Sequence, residues 1–287
     1  MVKTLGGKLA KALSVILAAA LLAGCLAFAA CTGSHPEIEM RITFNGEEYN
    51  LTYRLYRNYY RQTVDHYMEL IEADFFDGTV ISDYQTDRMI GGGYRYEGDG
   101  DELIALDYEG ATTDAEGNVT LKNITVWEDA ERTASTNRLH GEIAGNGFSV
   151  EDGGLTNTFG ALGTYTYVSS KAKDTFTYKY SGIDGYGESE YYKNSFTSLF
   201  YIYTSTSSAS AGNYCVFGEL ADDASDEALE ALMDAIDAYV EDKELDTFYE
   251  TEEDVPLNDK YLDEGEYVDL NVPVAKIVIE EVRVTKY

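Results

Sequence analysis

Alternating polar and apolar positions begin shortly after residue 34 and predict a pair of strands. The stretch EIEMRITFNGEEYNLTYRLY alternates around Asn45-Gly46, a dipeptide that favours a type I′ hairpin turn. The next stretch, YRQTVDHYMELIEADFF, places Val64, Met68 and Ile71 on one stripe, which is the spacing of a helix with one buried face. The pattern therefore predicts a hairpin followed by a helix.

A second helix and further strands are predicted in the remainder of the chain. ASDEALEALMDAIDAYV carries Leu229, Leu232, Ile236 and Val240 on one stripe, with Ser225 as the expected N-cap. TVISDY, RMIGGGY and VAKIVIEEVRV have the short apolar runs of strands. Many strands with one early and one late helix favour a closed barrel capped by helices at both ends.

The first 31 residues have the composition of a targeting segment. A short basic region precedes an apolar run and then small residues before a cysteine, as in a secretion signal. LAGC, ending at Cys25, resembles the bacterial lipobox, whose cysteine is lipidated, and FAAC, ending at Cys31, is the alternative. We therefore expect residues 1–34 to be a lipoprotein signal peptide and tether, and residues 35–287 to lie outside the cytoplasm, lipid-anchored to a bacterial membrane. A transmembrane anchor over residues 12–30 is the other hypothesis.

Charge and composition narrow the range of partners. The chain has 52 acidic against 21 basic residues and a net charge of −31, which excludes the basic surface that nucleic acid requires. Such acidity is typical of a solvated surface.

His35, His66 and His140 are scattered, Cys215 has no partner cysteine in the predicted domain, and the turn GDGDE lacks a full set of calcium ligands. We therefore expect no metal, no cofactor and no disulfide, and a monomer.

Several segments, in a fixed order between residues 46 and 285, carry a family resemblance. They are QTVDHYMELIEADFFDGTVI, MIGGG, LHGEIAGNGF, FGALG, SLFYI, GNYCVFGEL and NVPVAKIVIEEVRV. Together they resemble the cyclophilins, the barrel-fold peptidyl-prolyl cis-trans isomerases. The resemblance implies a mainly β fold, namely a closed eight-stranded antiparallel barrel with two capping helices and several inserted loops. The insertions fall near residues 96–137, 168–194 and 242–265; the second is expected to be a hairpin and the third a charged loop.

The activity of that family determines what its site requires. Rotation about an X-Pro bond has a barrier of about 18–20 kcal/mol because the imide is conjugated. A catalyst holds the proline ring in an apolar pocket and places a hydrogen-bond donor near the imide nitrogen, which loses its conjugation in the twisted state. In cyclophilins the donor is an arginine, and neither a metal nor a nucleophile takes part.

The resemblance places Asp83 at the position of that arginine, with no gap in the alignment between there and Met89. An ionised carboxylate cannot donate the hydrogen bond. Two family glutamines are also replaced, one by Gly91 and the one that positions the substrate backbone by Leu199. Arg88 is the nearby residue that could substitute as the donor. The chain thus has no confident catalytic residue.

The resemblance also implies a substrate pocket for proline. Its positions here are Met89, Tyr201 and Tyr214, with Leu199 beside them. A further pocket position, a phenylalanine in the family, carries Arg88. The pocket is therefore expected to be more polar and more open than in the family.

Three functions remain as hypotheses. The first is an isomerase that acts on proline-containing segments of exported polypeptides at the cell surface, with a degenerate catalytic site. The second is a non-catalytic, lipid-anchored module that binds peptides or acts as a chaperone on the same fold. The third is a surface module that binds glycans, and it rests on the 25 tyrosines alone.

Overall fold

The computed structural model describes most of the predicted domain. The described residues are 35–98, 100–106, 111–113, 119–121, 141–146, 148–150, 153–165, 173–179, 185–192, 198–212, 214–256 and 267–287. The predicted leader, residues 1–34 with Cys25 and Cys31, lies outside them, as do parts of the three predicted insertions.

The described residues contain two α-helices and a larger number of strands. The helices are α1 (Arg61–Glu72) and α2 (Asp223–Asp242). The strands, in chain order, are β1 (Glu37–Phe44), β2 (Glu47–Leu55), β3 (Thr79–Val80), β4 (Asp83–Gln85), β5 (Arg88–Gly91), β6 (Tyr94–Tyr96), β7 (Leu103–Ala105), β8 (Ala111–Thr113), β9 (Val119–Leu121), β10 (Leu162–Thr164), β11 (Lys173–Lys179), β12 (Tyr186–Tyr192), β13 (Phe200–Tyr203), β14 (Val216–Leu220), β15 (Tyr249–Pro256), β16 (Tyr267–Pro273) and β17 (Ile277–Lys286).

One antiparallel sheet closes on itself to form a barrel. Its order is β3-β17-β1-β2-β14-β10-β13-β5-β4, and each neighbouring pair is antiparallel. Strands β3 and β4 are the two halves of one segment. Within it the Ile81 N–H donates to the Ile277 carbonyl at 3.0 Å and the Ser82 N–H donates to the Ile90 carbonyl at 2.9 Å. Because this segment joins both ends of the nine-strand order, counting it once leaves eight strands, and the predicted closed eight-stranded barrel is confirmed.

Strict alternation along the strands produces the barrel interior. In β1 every second residue is buried, and the predicted hairpin to β2 turns at Asn45-Gly46 with both residues at positive φ. The two predicted helices also form. Their apolar stripes, which include Val64, Leu70 and Leu232, join the same core cluster as the inward residues of β1 and β2. Burial of these side chains is the main stabilising contribution to the fold.

The N-terminus of helix α2 is capped differently from the prediction. Helix α2 begins one residue after Asp222, whose carboxylate accepts from the Ser225 N–H at 2.9 Å and from the Ser225 hydroxyl at 2.7 Å. Asp222 is therefore the N-cap, and the prediction of Ser225 was wrong by one helical turn. Ser225 Oγ instead accepts from the backbone N–H of Thr52 in β2 at 2.9 Å, which fixes the helix to the barrel.

Two-stranded hairpins occur where insertions were expected. Strands β6–β7, β8–β9, β11–β12 and β15–β16 each form a separate antiparallel pair. The expectation of a charged loop over residues 242–265 was wrong in part, because Tyr249–Pro256 is a strand that pairs with β16.

Neither of the two described helices is both long and apolar enough to cross a bilayer.

Candidate functional site

The site predicted from the resemblance lies on the outer surface of the barrel wall formed by β5, β13, β10 and β14. Alternation along β13 turns Phe200 and Ile202 into the barrel core, whereas Tyr201 and Tyr203 belong to a second apolar cluster on the other side of the sheet. In β5, paired with β13, Ile90 shares the cluster of Tyr201. The side chains that could meet a ligand are thus those of the outward set.

The structure brings four tyrosines together in one cluster on this outer surface, namely Tyr165, Tyr201, Tyr203 and Tyr214. Tyr214 stacks on Tyr165 with ring centroids 5.2 Å apart and meets Tyr201 edge-on at 5.8 Å. The Tyr201 hydroxyl donates to Asn157 Oδ1 at 2.6 Å. Burial raises the pKa of both Tyr201 and Tyr165, so their hydroxyls remain protonated over the physiological range. We call the rings of Tyr201, Tyr203 and Tyr214 the tyrosine face.

Arg88 lies over the tyrosine face. Its guanidinium carbon is 4.8 Å from the Tyr201 ring centroid, 5.7 Å from that of Tyr214 and 5.9 Å from that of Tyr203. Its Nε donates to Asp87 Oδ1 at 2.9 Å and its Nη2 donates to Asp87 Oδ2 at 2.8 Å. This bidentate pair raises the pKa of Arg88 and lowers that of Asp87, so both stay charged.

The Tyr201 side chain also lies close to the backbone of the neighbouring strand β10. A Cβ atom at Gly163, in the neighbouring strand β10, would lie 2.2–2.5 Å from three atoms of the Tyr201 side chain. Gly163 is therefore required for the ring to lie flat on the sheet. Close to both Gly163 and Arg88, Tyr201 has no measurable solvent exposure.

Asp83 is buried and already engaged, although the family arginine at this position acts on substrate. Its side chain is only 3% exposed. Gln85 Nε2 donates to Asp83 Oδ2 at 2.9 Å, and the backbone N–H of Asn271 donates to Oδ1 at 3.2 Å. Gln85 Nε2 also lies 3.4 Å from the Tyr165 hydroxyl, which links Asp83 to the tyrosines. Asp83 thus accepts a hydrogen bond on each of its carboxylate oxygens.

The hairpin β15–β16 provides the cover over Asp83. Strand β16 packs against β4. Leu270 and Val272 of β16 and Val255 of β15 form an apolar cluster with Tyr94 and Leu103 from the hairpin β6–β7. Two of the predicted insertions therefore meet next to the position where the family catalyses, and this contact excludes solvent from Asp83.

The predicted substrate-binding residues are only partly brought together. Arg88, Tyr201 and Tyr214 are in contact, and Leu199 is buried in the same outer cluster, where its carbonyl accepts from the Tyr67 hydroxyl and the Tyr165 N–H. Met89 is elsewhere. It is fully buried in the barrel core, on the side of β5 opposite to the tyrosine face.

Sequence analysis missed four residues that complete this arrangement, namely Gln85, Asn157, Tyr165 and Asn271. Asn157 pairs with Ala209 by two backbone hydrogen bonds of 2.9 Å, and its side-chain amide donates to the Ser210 carbonyl at 3.3 Å. The single sequence signal available was Tyr165, which precedes an insertion at the end of a predicted strand. The partners of Asn157 and Asn271 are distant in sequence, so no local pattern identified these two residues. Gln85 contacts Asp83 only two positions away, but nothing in the local pattern indicated that contact.

The acidic turn GDGDE is closed by a lysine. Lys276 Nζ donates to the Gly100 carbonyl at 2.6 Å, pairs with the Asp101 carboxylate at 3.0 Å and lies 4.2 Å from the Tyr96 ring centroid. Within the described residues, no group of three or more His, Cys, Asp or Glu side chains is placed to hold a metal ion.

Comparison with known proteins gives a likeness of fold. No family model and no curated protein sequence matches the chain. Among solved structures, the chain is similar to a cyclophilin type peptidyl-prolyl cis-trans isomerase of Cryptosporidium parvum, with 14% identity, a TM-score of 0.44 and coverage of 88% of this chain and 99% of that one. The same protein in the presence of the dipeptide Ala-Pro gives 16% identity, a TM-score of 0.42 and coverage of 87% and 99%. At such identity the likeness concerns the fold alone, and the closed barrel is established by its own strand order.

Proposed function

We propose that this protein binds proline-containing segments of exported polypeptides at the cell surface, on a cyclophilin-like barrel whose isomerase site is degenerate. The observation that carries the proposal is the state of Asp83, which is buried and accepts hydrogen bonds on both carboxylate oxygens. The family's chemistry requires a donor at this position, and an ionised carboxylate cannot supply one.

Binding is the part of the family function that the outer surface supports. Apolar and aromatic groups with a few fixed polar atoms are the usual lining of a peptide site. Tyr201 and Tyr214 provide the aromatic surface, and Asn157 fixes the Tyr201 hydroxyl at 2.6 Å. An extended polypeptide could pack on Tyr214, which is partly exposed, and on Tyr201 once Arg88 has moved from its ring, and neither contact needs a catalytic donor.

The location is proposed from the leader alone. Lipidation at Cys25 or Cys31 would attach the barrel to the outer side of a bacterial membrane, where it would meet polypeptides as they emerge. Analysis of the mature N-terminal peptide by mass spectrometry tests this proposal. A diacylglyceryl-cysteine at either position supports it, and an intact leader contradicts it.

A slow isomerase is the second candidate, and Arg88 is the observation that favours it. The guanidinium lies 4.8 Å from the Tyr201 ring. Asp87 accepts from Nε and Nη2, and among the described residues Nη1 has no hydrogen-bond partner. A guanidinium with an unused N–H in this place could approach an imide nitrogen, as the family arginine does.

One experiment separates the two candidates. The cis/trans exchange rate of the peptide acetyl-Ala-Ala-Pro-Ala-amide would be measured by exchange NMR with the full-length protein in detergent, and with Arg88→Ala. We expect the peptide signals to shift on addition of protein while the exchange rate stays at its uncatalysed value, tens of seconds or longer.

The matched control is Arg95→Ala, which removes an exposed arginine from β6, outside the tyrosine face. Acceleration that is lost in Arg88→Ala and kept in Arg95→Ala would establish the second candidate and refute the first. Peptide signals that do not shift with any folded variant would refute both.

A further inference from the structure

We propose that Arg88 is an internal cover of the tyrosine face and sets which ligands the face accepts. This inference rests on the proposed function, because it concerns the same surface. The guanidinium takes the place over the Tyr201 ring where a proline ring would have to pack. The side chain that replaces the family's pocket phenylalanine therefore excludes proline while it is in place.

The distances between the Arg88 guanidinium and the tyrosine rings are those of a cation–π contact. The guanidinium carbon lies within 4.8–5.9 Å of three ring centroids, and a cation within about 6 Å of an aromatic centroid is attracted by the ring. The side chain of Arg88 is only 15% exposed, so this attraction is weakly screened by solvent. The guanidinium of Arg88 thus occupies the tyrosine face as a ligand from outside the chain would.

Asp87 fixes the cover in position. It holds Arg88 by two hydrogen bonds of 2.8 and 2.9 Å. Its own backbone carbonyl accepts from the Thr204 N–H at 2.8 Å, which ties the β4–β5 turn to the end of β13. Arg88 therefore leaves the rings only if the carboxylate contact breaks or the turn moves.

The ring beneath the cover is suitable for a flat apolar group. The Tyr201 side chain lies so close to Gly163 that a Cβ atom there would clash with it, and Asn157 holds its hydroxyl. The ring is therefore held by Gly163 and Asn157 independently of Arg88. Removal of the guanidinium should uncover a preformed aromatic surface instead of letting the ring collapse inward.

The test is the affinity of the full-length protein for acetyl-Ala-Ala-Pro-Ala-amide, measured by NMR titration in detergent. We expect Arg88→Ala to bind the peptide about tenfold more tightly than the unmodified protein, as for the loss of one competing cation–π contact. Arg88→Gln, which keeps most of the stem and a polar head, should also gain affinity. It remains informative if the alanine variant does not fold.

A second variant changes Asp87, the residue that holds the Arg88 side chain in position. Asp87→Asn leaves Arg88 intact but removes the carboxylate that holds it, so a smaller gain in affinity is expected. Arg95→Ala is the control and should bind as the unmodified protein does.

The remaining outcomes overturn the inference. Equal affinity in all folded variants would show that Arg88 does not cover the binding surface, and the proposed function would still stand. Weaker binding in Arg88→Ala than in Arg95→Ala would show that Arg88 contacts the ligand directly. No binding by any folded variant would overturn the proposed function, and this inference with it.

Discussion

At the scale of single residues, Glu142 has the clearest structural role that no local pattern predicts. Helix α1 has no side-chain cap of its own at Tyr60. The Glu142 carboxylate accepts there from the Thr63 N–H at 2.9 Å, from the Thr63 hydroxyl at 2.7 Å and from the Gln62 N–H at 3.3 Å. A residue about eighty positions away thus caps the helix and stabilises its positive end.

The same carboxylate makes stability depend on pH. Burial raises the pKa of Glu142, an effect that its hydrogen bonds to Thr63 only partly offset. A carboxyl group whose pKa is higher in the folded than in the unfolded protein contributes to stability, and this contribution is complete at pH values below the unfolded pKa of about 4.3. That contribution is lost as the pH rises through the native pKa, because the folded protein must then ionise a buried group.

We therefore expect the free energy of unfolding of Glu142→Gln, relative to the unmodified protein, to increase as the pH rises above about 4.3 and then to level off. Urea unfolding at a series of pH values measures this difference. Glu47→Gln, at an exposed position, is the control and should show no such trend. A difference that does not vary with pH would contradict the prediction.

The tyrosines show at the same scale how little composition alone reveals. Tyr53, Tyr94 and Tyr201 are among the largest fully buried side chains, so they serve as core and cluster residues. The residues that suggested glycan binding are thus partly used for packing.

At the scale of elements, the hairpin β15–β16 differs most from a sequence-based expectation. Its first strand, YETEEDVP, contains a run of acids, and only Val255 in it is buried. No apolar alternation marks it as a strand. The pairing with β16 and the contact with Tyr94 impose that conformation, and both are long-range.

The local patterns did predict the first hairpin, both helices and the segments of the barrel wall. Each of these has its periodicity in its own residues. The site could be predicted only in part. The resemblance identified Asp83, but its burial depends on Asn271, 188 residues later, and on an insertion that the family pattern does not contain.

The bond between Asp83 and Asn271 predicts a local effect on the hairpin. Asp83→Ala removes the acceptor of this bond, and Asn271→Pro removes its donor. Proline is suitable at position 271 because the N–H there points away from the hydrogen bonds between β15 and β16. In either variant we expect amide hydrogen exchange in β15–β16 to accelerate about tenfold, the effect of losing roughly 1.4 kcal/mol of local stability. Exchange in β1–β2 should be unchanged.

Combining the two substitutions provides the control. Both substitutions remove the bond between Asp83 and Asn271, and each removes one further bond, from Gln85 to Asp83 or from Thr251 to Asn271. Because the bond between Asp83 and Asn271 is lost in either variant, the double variant should accelerate exchange by clearly less than the sum of the two single effects. Additive effects, or equal acceleration in β1–β2, would show that Asp83 does not hold the hairpin specifically.

At the scale of the whole molecule, net charge opposes the folded state. The formal charge is −31, and a compact chain of one sign repels itself. Ion pairs among the described residues provide limited relief. Many are exposed, such as Lys243 with Asp242 at 53% and 73% side-chain exposure, and such pairs contribute little.

We therefore expect the melting temperature to rise when NaCl is increased from about 10 mM to 300 mM, because the Debye length falls from about 30 Å to well below 10 Å. Differential scanning calorimetry measures the change. Choline chloride should have the same effect if screening is the cause. A lower melting temperature in salt would indicate that attractive pairs outweigh the repulsion.

Closure of the barrel through β17 also fixes the order in which the fold can be completed during biosynthesis. Strand β1 pairs with β17 along its whole length, and Glu39 and Arg283 in that pair are 244 residues apart. Until β17 has been synthesised, β1 presents an open edge, and unpaired edges invite association with other chains. The segment that carries Asp83 also lacks this pairing partner until β17 has been synthesised, because β3 pairs with β17. A nascent chain therefore completes the pairing of the segment that carries Asp83 only after β17 has been synthesised.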